Sequence, residues 1–108
     1  VPPPSRTPLH DAVDAGNVDA VRELLSSGAG LEVRDKEGYT PLLLACSEDE
    51  EEACGVLLDA GANVFAVDED GRTALHWAAL YGNVIMGRRL VRGGCDIRAV
   101  KAVRETAL

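Results

Sequence analysis

The hydrophobic positions in the first third of the chain follow the spacing of α-helices. They form two groups separated by Gly16. The first group is Leu9, Ala12 and Val13, and the second is Val18, Val21, Leu24 and Leu25. Each group ends at a glycine, Gly16 or Gly28, which accepts the left-handed conformation of a helix stop. Thr7 and Pro8 precede the first group, as expected of a helix N-cap and a first helical position. The pattern predicts a hairpin of two short helices.

This pattern returns with a period of 33 residues. The tetrad Thr7, Pro8, Leu9, His10 corresponds to Thr40, Pro41, Leu42, Leu43 and to Thr73, Ala74, Leu75, His76, and the register starts again at Thr106. A fixed period of this length indicates a stack of similar units. We therefore divide one domain, residues 1–108, into repeats at about 5–37, 38–70 and 71–103, with the start of a fourth repeat at 104–108.

A polar turn follows each of the first two helix pairs. The segment Asp35, Lys36, Glu37, Gly38 recurs one period later as Asp68, Glu69, Asp70, Gly71. Aspartate and glycine at these positions favour a tight turn. A short extended stretch, Leu31 to Val33, precedes the first turn. The turns are therefore expected to protrude as fingers between successive helix pairs.

These motifs resemble those of the ankyrin-repeat family over nearly the whole chain. The matching residues are Gly38, Thr40, Pro41 and Leu42; Gly71, Thr73, Leu75 and His76; the joints Gly16–Asn17 and Gly82–Asn83; and the ending Gly61, Ala62, Asn63, Val64. The resemblance implies an all-α repeat solenoid, a curved stack of antiparallel helix pairs joined by β-hairpin fingers. It also implies that the concave face binds protein partners, and that His10 and His76 tie their own threonine to the adjacent hairpin.

Several residues depart from the repeat pattern. Asp49 and Glu50 stand where the neighbouring repeats have Gly-Asn, so we expect a strained joint in the second repeat. Gly55 and Gly87 lie inside predicted helices, where glycine costs about 0.5–1 kcal/mol relative to alanine. Arg104 replaces the turn glycine of the last finger. Because no terminal repeat has the polar outer face of a cap, we expect further repeats or another domain after Leu108.

Composition and charge exclude several classes of partner. The formal net charge is −7, which disfavours nucleic acid and anionic membrane surfaces because phosphate binding needs a concentrated basic patch. No segment approaches the length of an apolar membrane span or of a signal peptide. Three cysteines at core slots of the repeat fit a reducing compartment, so we expect a cytoplasmic protein, with the nucleus as an alternative. The charge is uneven, because residues 87–108 carry 6 basic and 2 acidic side chains.

No catalytic, cofactor or metal site is predicted. His10 and His76 occupy one repeat slot two periods apart, which a structural role explains. The cysteines, Cys46, Cys54 and Cys95, stand in slots that hold small residues elsewhere and lack the short paired spacings of a metal site. We therefore interpret them as buried structural thiols and predict that the chain is not an enzyme.

Positions that vary while the repeat framework stays constant are the candidate binding surface. The predicted protein-binding residues are Tyr39, Leu44, Glu48, Glu69, Asp70, Arg72, Trp77, Leu80 and Tyr81. Interface energy concentrates in Trp, Tyr and Arg, so Trp77, Tyr81, Tyr39 and Arg72 carry most weight. The acidic run at 48–52 predicts a partner with basic residues. The alternative is an intramolecular docking segment of a larger multidomain enzyme or channel, for which the basic C-terminal end would be the docking edge.

Overall fold

The computed structural model describes residues 7–92, which form six helices. They are α1 (Pro8–Asp14), α2 (Val18–Ser26), α3 (Pro41–Ser47), α4 (Glu51–Asp59), α5 (Ala74–Tyr81) and α6 (Val84–Arg92). The expected start of a fourth repeat at 104–108, the turn at Arg104 and Cys95 lie outside these residues.

The helices pack as pairs arranged in two rows. Each odd-numbered helix contacts the even-numbered helix that follows it, while α1, α3 and α5 contact one another in order, as do α2, α4 and α6. This arrangement confirms the predicted all-α repeat fold. The fingers are present as closed turns at 35–39 and 68–72, and the β-strand pairing that the family resemblance implies does not form within residues 7–92.

Threonine starts the first helix of every pair. Thr7, Thr40 and Thr73 are extended N-caps whose side-chain oxygens accept the backbone N–H three residues later. Such a cap satisfies one of the N–H groups that a helix start leaves without a partner. Pro8 and Pro41 occupy the first helical turn, where proline loses no hydrogen bond. The repeated threonine therefore determines where each pair begins.

Left-handed residues join the two helices of each pair. Gly16 and Gly82 have φ of 68° and 66°, and Asp49 has φ of 57° in the same slot of the middle pair. Asp49 is the single non-glycine residue with positive φ within residues 7–92. A side chain in this conformation costs up to about 1–2 kcal/mol, less for aspartate than for most residues. The expected strained joint is confirmed as a left-handed aspartate.

The core is thickest in the middle pair. Pro41 to Cys46 are all buried, because α3 packs against α1 on one side and α5 on the other. Leu42, Leu57, Met86 and Leu90 are among the largest fully buried side chains. Burial of this apolar surface is the main source of stability, and each pair supplies one layer of it.

The two helical glycines differ in their surroundings, which predicts different responses to alanine. A Cβ at Gly87 would meet no described atom within 4 Å, whereas a Cβ at Gly55 would overlap the guanidinium of Arg89. We expect Gly87→Ala to raise the free energy of unfolding by about 0.5–1 kcal/mol through helix propensity. Gly55→Ala should gain less, since the exposed Arg89 must move. Urea denaturation tests both, and a destabilising Gly87→Ala would contradict the expectation.

Candidate functional site

His10 connects the first helix pair to the first finger. Its Nε2 lies 2.8 Å from the carbonyl oxygen of Tyr39, which can only accept, so Nε2 carries the hydrogen and donates. Its Nδ1 lies 2.8 Å from the hydroxyl of Thr7, which donates to it. His76 makes the same contact with Thr73 at 3.1 Å. The tie that the family resemblance implied is therefore observed for His10, and it explains the buried histidine without a ligand site.

A buried aspartate holds each finger in shape. The Oδ1 atom of Asp68 accepts hydrogen bonds of 2.9 Å from the backbone N–H groups of Asp70 and Arg72. Backbone bonds from Asp68 N to Arg72 O and from Gly71 N to Asp68 O close the same turn. The first finger has the same set of bonds, organised around Asp35. The exposed side chains of Glu69, Asp70 and Arg72 are thus presented on a turn of defined geometry.

Arg34 ties the two fingers together. Its Nη1 donates to the carbonyl oxygens of Gly38 at 2.7 Å and Val67 at 2.6 Å. In addition, a Cβ at Gly38 would lie 2.8 Å from the Cγ of Glu69, so the Glu69 side chain would have to shift. Sequence reasoning missed Arg34. The available signal was its departure from the repeat, since Val67 stands in the same slot of the next unit.

Arg72, Trp77 and Tyr81 form a contiguous group at the second finger and α5. The guanidinium carbon of Arg72 lies 5.1 Å from the centre of the Trp77 ring, within range of a cation–π interaction. The rings of Trp77 and Tyr81 are stacked at 6.4 Å with an interplanar angle of 23°. Leu80 is exposed beside them at 61%, and Tyr81 at 47%. We call Arg72, Trp77, Leu80 and Tyr81 the aromatic patch.

Polar contacts hold the aromatic patch against the preceding helix pair. The hydroxyl of Tyr81 donates to the carbonyl oxygen of Ser47 at 2.5 Å, and Asn83 donates to Asp49 at 2.9 Å. The indole Nε1 of Trp77 is buried and has no hydrogen-bond partner within residues 7–92. Trp77 itself is half-buried and packs on the core. The patch is therefore a fixed platform, with exposed side chains at its outer edge.

The prediction that Leu44 is a surface residue is wrong. It occupies the slot of Asp11 and Trp77, yet it is only 2% exposed and belongs to the hydrophobic core. The middle helix α3 is flanked by α1 and α5, so its side chains are covered on two sides. Of the other predicted residues, Glu48, Glu69 and Asp70 are exposed and Tyr39 is half-buried. Glu48 follows Ser47, to which Tyr81 donates, so it lies near the patch.

Tyr39 lies close to the acidic second finger, and this predicts its titration. Burial raises the pKa of Tyr39 above the ordinary value, and Asp68 and Glu37 raise it further, while Arg72 opposes them. The neutral phenol is thus favoured in the folded chain. The contribution of Tyr39 to the free energy of unfolding should be constant below the unfolded pKa of about 10 and fall as pH rises through the folded pKa. In Tyr81→Phe, which leaves Tyr39 as the sole tyrosine, phenolate absorbance should show a raised midpoint; an ordinary one would contradict it.

The described part of the chain has neither a metal-ligand cluster nor a membrane-spanning helix. Among residues 7–92, no three or more His, Cys, Asp and Glu side chains come together as a metal site. None of the six helices is long and apolar enough to cross a membrane. Within residues 7–92 the remaining surface features are the aromatic patch, the acidic fingers and a groove along α5 and α6.

Comparison with known proteins places the chain in a family. A sequence model described as ankyrin repeats (3 copies) matches residues 9–101. The chain is similar to neurogenic locus notch homolog protein 1 of Xenopus laevis (38% identical over 104 residues) and of Homo sapiens (39% over 104 residues). It is also 38% identical over 103 residues to the putative E3 ubiquitin-protein ligase XBAT34 of Arabidopsis thaliana.

These relatives are much longer than the segment that matches. The similarity covers 95% of this chain but 4% of either Notch protein, and 93% of this chain but 27% of the plant protein. The similarity therefore concerns a helical repeat region within larger proteins. Because the family match begins in α1 and extends past α6, the chain belongs to the ankyrin-repeat family.

Proposed function

We propose that this chain binds a protein or peptide partner through the aromatic patch and the adjoining fingers. Ankyrin repeats are in general protein–protein interaction modules. The observation that carries the proposal is the exposure of Leu80 and Tyr81 beside Trp77, on a helix fixed by polar contacts. Large aromatic and arginine side chains on a rigid support supply most of the energy of protein interfaces. By the family resemblance this surface belongs to the concave face and finger tips.

Acidic residues around the patch favour a partner with basic residues. Glu69 and Asp70 are exposed on the second finger, and Glu48 is exposed at the end of α3. Tyr39 completes the proposed site at the first finger. Complementary charge accelerates encounter and orients the partner more than it adds affinity. The same charge repels phosphate, so we propose neither a nucleic-acid nor a membrane partner.

A triple variant with a matched control tests the proposed site. The patch variant carries Arg72→Ala, Leu80→Ala and Tyr81→Ala. It removes exposed parts of the patch and retains Trp77, which packs on the core. The control, the α6 variant, carries Ile85→Ala, Arg88→Ala and Val91→Ala. It removes two exposed apolar side chains and one exposed arginine from α6. Proteins captured by the immobilised chain are identified by mass spectrometry, and the binding of the purified partner is then measured for all three forms.

The patch variant is expected to bind at least about tenfold more weakly than the parent chain, because hot-spot side chains contribute above about 1.4 kcal/mol. The control should bind as the parent does, and circular dichroism should show equal helix content in all three. Undiminished binding by the patch variant would rule out the proposed site.

An open groove favours a second candidate function, intramolecular docking within a larger multidomain enzyme or channel. The groove has a volume of about 590 Å³ and lies along α5 and α6, with Leu75, Ala78, Val84 and Val91 among its lining residues. Arg88 and Arg92 flank it. For this function the expected results are reversed. The α6 variant should lose association with the remainder of the full-length protein, and the patch variant should retain it.

The remaining assignments rest on the family and the composition. We propose that the segment itself is not an enzyme, since ankyrin repeats are generally non-catalytic. We also propose a cytoplasmic location, with the nucleus as an alternative, because Cys46 and Cys54 are buried thiols that suit a reducing compartment. Fractionation of cells that express the parent protein tests the location.

A further inference from the structure

Two buried thiols face each other inside the middle helix pair. The Sγ atoms of Cys46 on α3 and Cys54 on α4 are 3.7 Å apart, so the two side chains point toward one another. Both residues are fully buried. In the first helix pair the same two slots hold Val13 and Val21, which are also fully buried. Packing at this place therefore does not require sulfur, and the thiol pair is a chemical feature of the middle pair.

The joint between these two helices lacks a side-chain cap that the other two joints have. The second helices α2 and α6 are capped by Asn17 and Asn83, whose side-chain oxygens accept N–H groups at 3.2 Å and 3.0 Å. In the same slot, Glu50 makes no side-chain cap to α4, and Asp49 before it is left-handed. A missing cap and a left-handed side chain both lower the cost of local opening. The segment between the two cysteines thus lacks one stabilising contact that the other joints have, and Tyr81 and Asn83 of the next pair bond to it.

We infer that Cys46 and Cys54 are a peroxide-responsive thiol pair that closes to a disulfide between α3 and α4. When the joint opens, one thiol loses its proton, and the thiolate attacks an oxygen of hydrogen peroxide. The O–O bond breaks and leaves a sulfenic acid and a hydroxide ion, which takes up the proton to become water. The second thiol attacks that sulfur, forming the S–S bond and releasing a second water. Two thiols lose two electrons and two protons, and one peroxide takes them up and is reduced to two waters.

The acidic run selects the oxidant. Five carboxylates at 48–52 surround the joint. Oxidised glutathione is anionic and is repelled by this field, whereas hydrogen peroxide is neutral and small enough to enter a partial opening. We therefore expect peroxide to oxidise the pair at least about tenfold faster than oxidised glutathione does at equal concentration and low salt, with the difference shrinking as salt screens the charges.

The test uses the chain with Cys95→Ser, so that Cys46 and Cys54 are its sole thiols. After treatment with hydrogen peroxide, the intact mass should fall by two hydrogen atoms and both thiol groups should disappear. A glutamate-specific protease cuts between the cysteines, so only a disulfide keeps the two fragments together until dithiothreitol is added. Gain of oxygen on either cysteine, covalent dimers or two unreacted thiols would each overturn the inference.

Three variants distinguish the contribution of the thiol pair from those of the missing cap and the nearby carboxylates. Cys54→Val, which copies Val21, should fold normally and give no linked fragments. Glu50→Asn, which copies Asn17 and Asn83, should cap α4 and slow peroxide oxidation by about fivefold. Glu52→Gln removes a carboxylate without adding a cap and should leave the peroxide rate within about twofold. Equal rates for Glu50→Asn and the parent would exclude opening of the joint as the route.

Discussion

Leu44→Ala is expected to lower the free energy of unfolding by about 2–5 kcal/mol. Leu44 is 2% exposed and lies in the core cluster, in the helix that α1 and α5 flank. Removing its side chain loses buried apolar contact and leaves a cavity that the neighbouring helices fill only in part. Because the middle pair contacts both other pairs, the loss should be felt across the whole stack.

Leu80→Ala is the matched control for this prediction. It is the same chemical change on the next helix of the row, but Leu80 is 61% exposed. Its free energy of unfolding should stay within about 0.5 kcal/mol of the parent value. Urea denaturation followed by circular dichroism measures both. Equal destabilisation by the two variants would mean that Leu44 and Leu80 do not differ in burial as described.

Asp68→Ala is expected to cost about 1.5–3 kcal/mol of unfolding free energy, the scale of hydrogen bonds to a charged group. The variant leaves the N–H groups of Asp70 and Arg72 without their acceptor and frees the second finger. Since Arg72 is the cation over Trp77, the aromatic patch should lose its arrangement as well. Partner binding, once a partner is identified, should weaken together with stability.

Two controls locate the origin of this effect. Asp68→Asn retains an oxygen that can accept both N–H groups, so its loss of stability should be smaller than that of Asp68→Ala. Asp70→Ala changes an exposed side chain at the tip of the same finger and should alter stability by no more than about 0.5 kcal/mol. An Asp68→Ala variant as stable as Asp70→Ala would show that the carboxylate does not hold the finger.

Substitutions at Leu44 and Leu80 should also distinguish an effect on folding from an effect on partner binding. Both are among the predicted binding residues because their slots vary between repeats. Burial assigns Leu44 to the core and leaves Leu80 in the proposed site. A substitution at Leu80 should therefore affect partner capture without affecting the fold, and one at Leu44 should do the reverse.

Local structure was predictable from the sequence because it depends on local chemistry. Thr7, Thr40 and Thr73 cap helices through their own hydroxyls, and Gly16 and Gly82 reach the left-handed region without a steric penalty. These interactions span at most a few residues, so their spacing is visible along the chain. The 33-residue period then predicts that the units stack, since each unit alone cannot bury its apolar face.

Burial and contacts between units depended on the tertiary structure. Asp11, Leu44 and Trp77 share one slot, yet α3 has a helix on both sides, and this buries Leu44. Arg34 reaches across to the second finger, and Cys46 meets Cys54 through the antiparallel packing of two helices. The sequence alone therefore determined the repeat, its helices and its joints, whose interactions are local. Only tertiary packing decided which side chains are covered and which meet, because those contacts join residues distant in sequence.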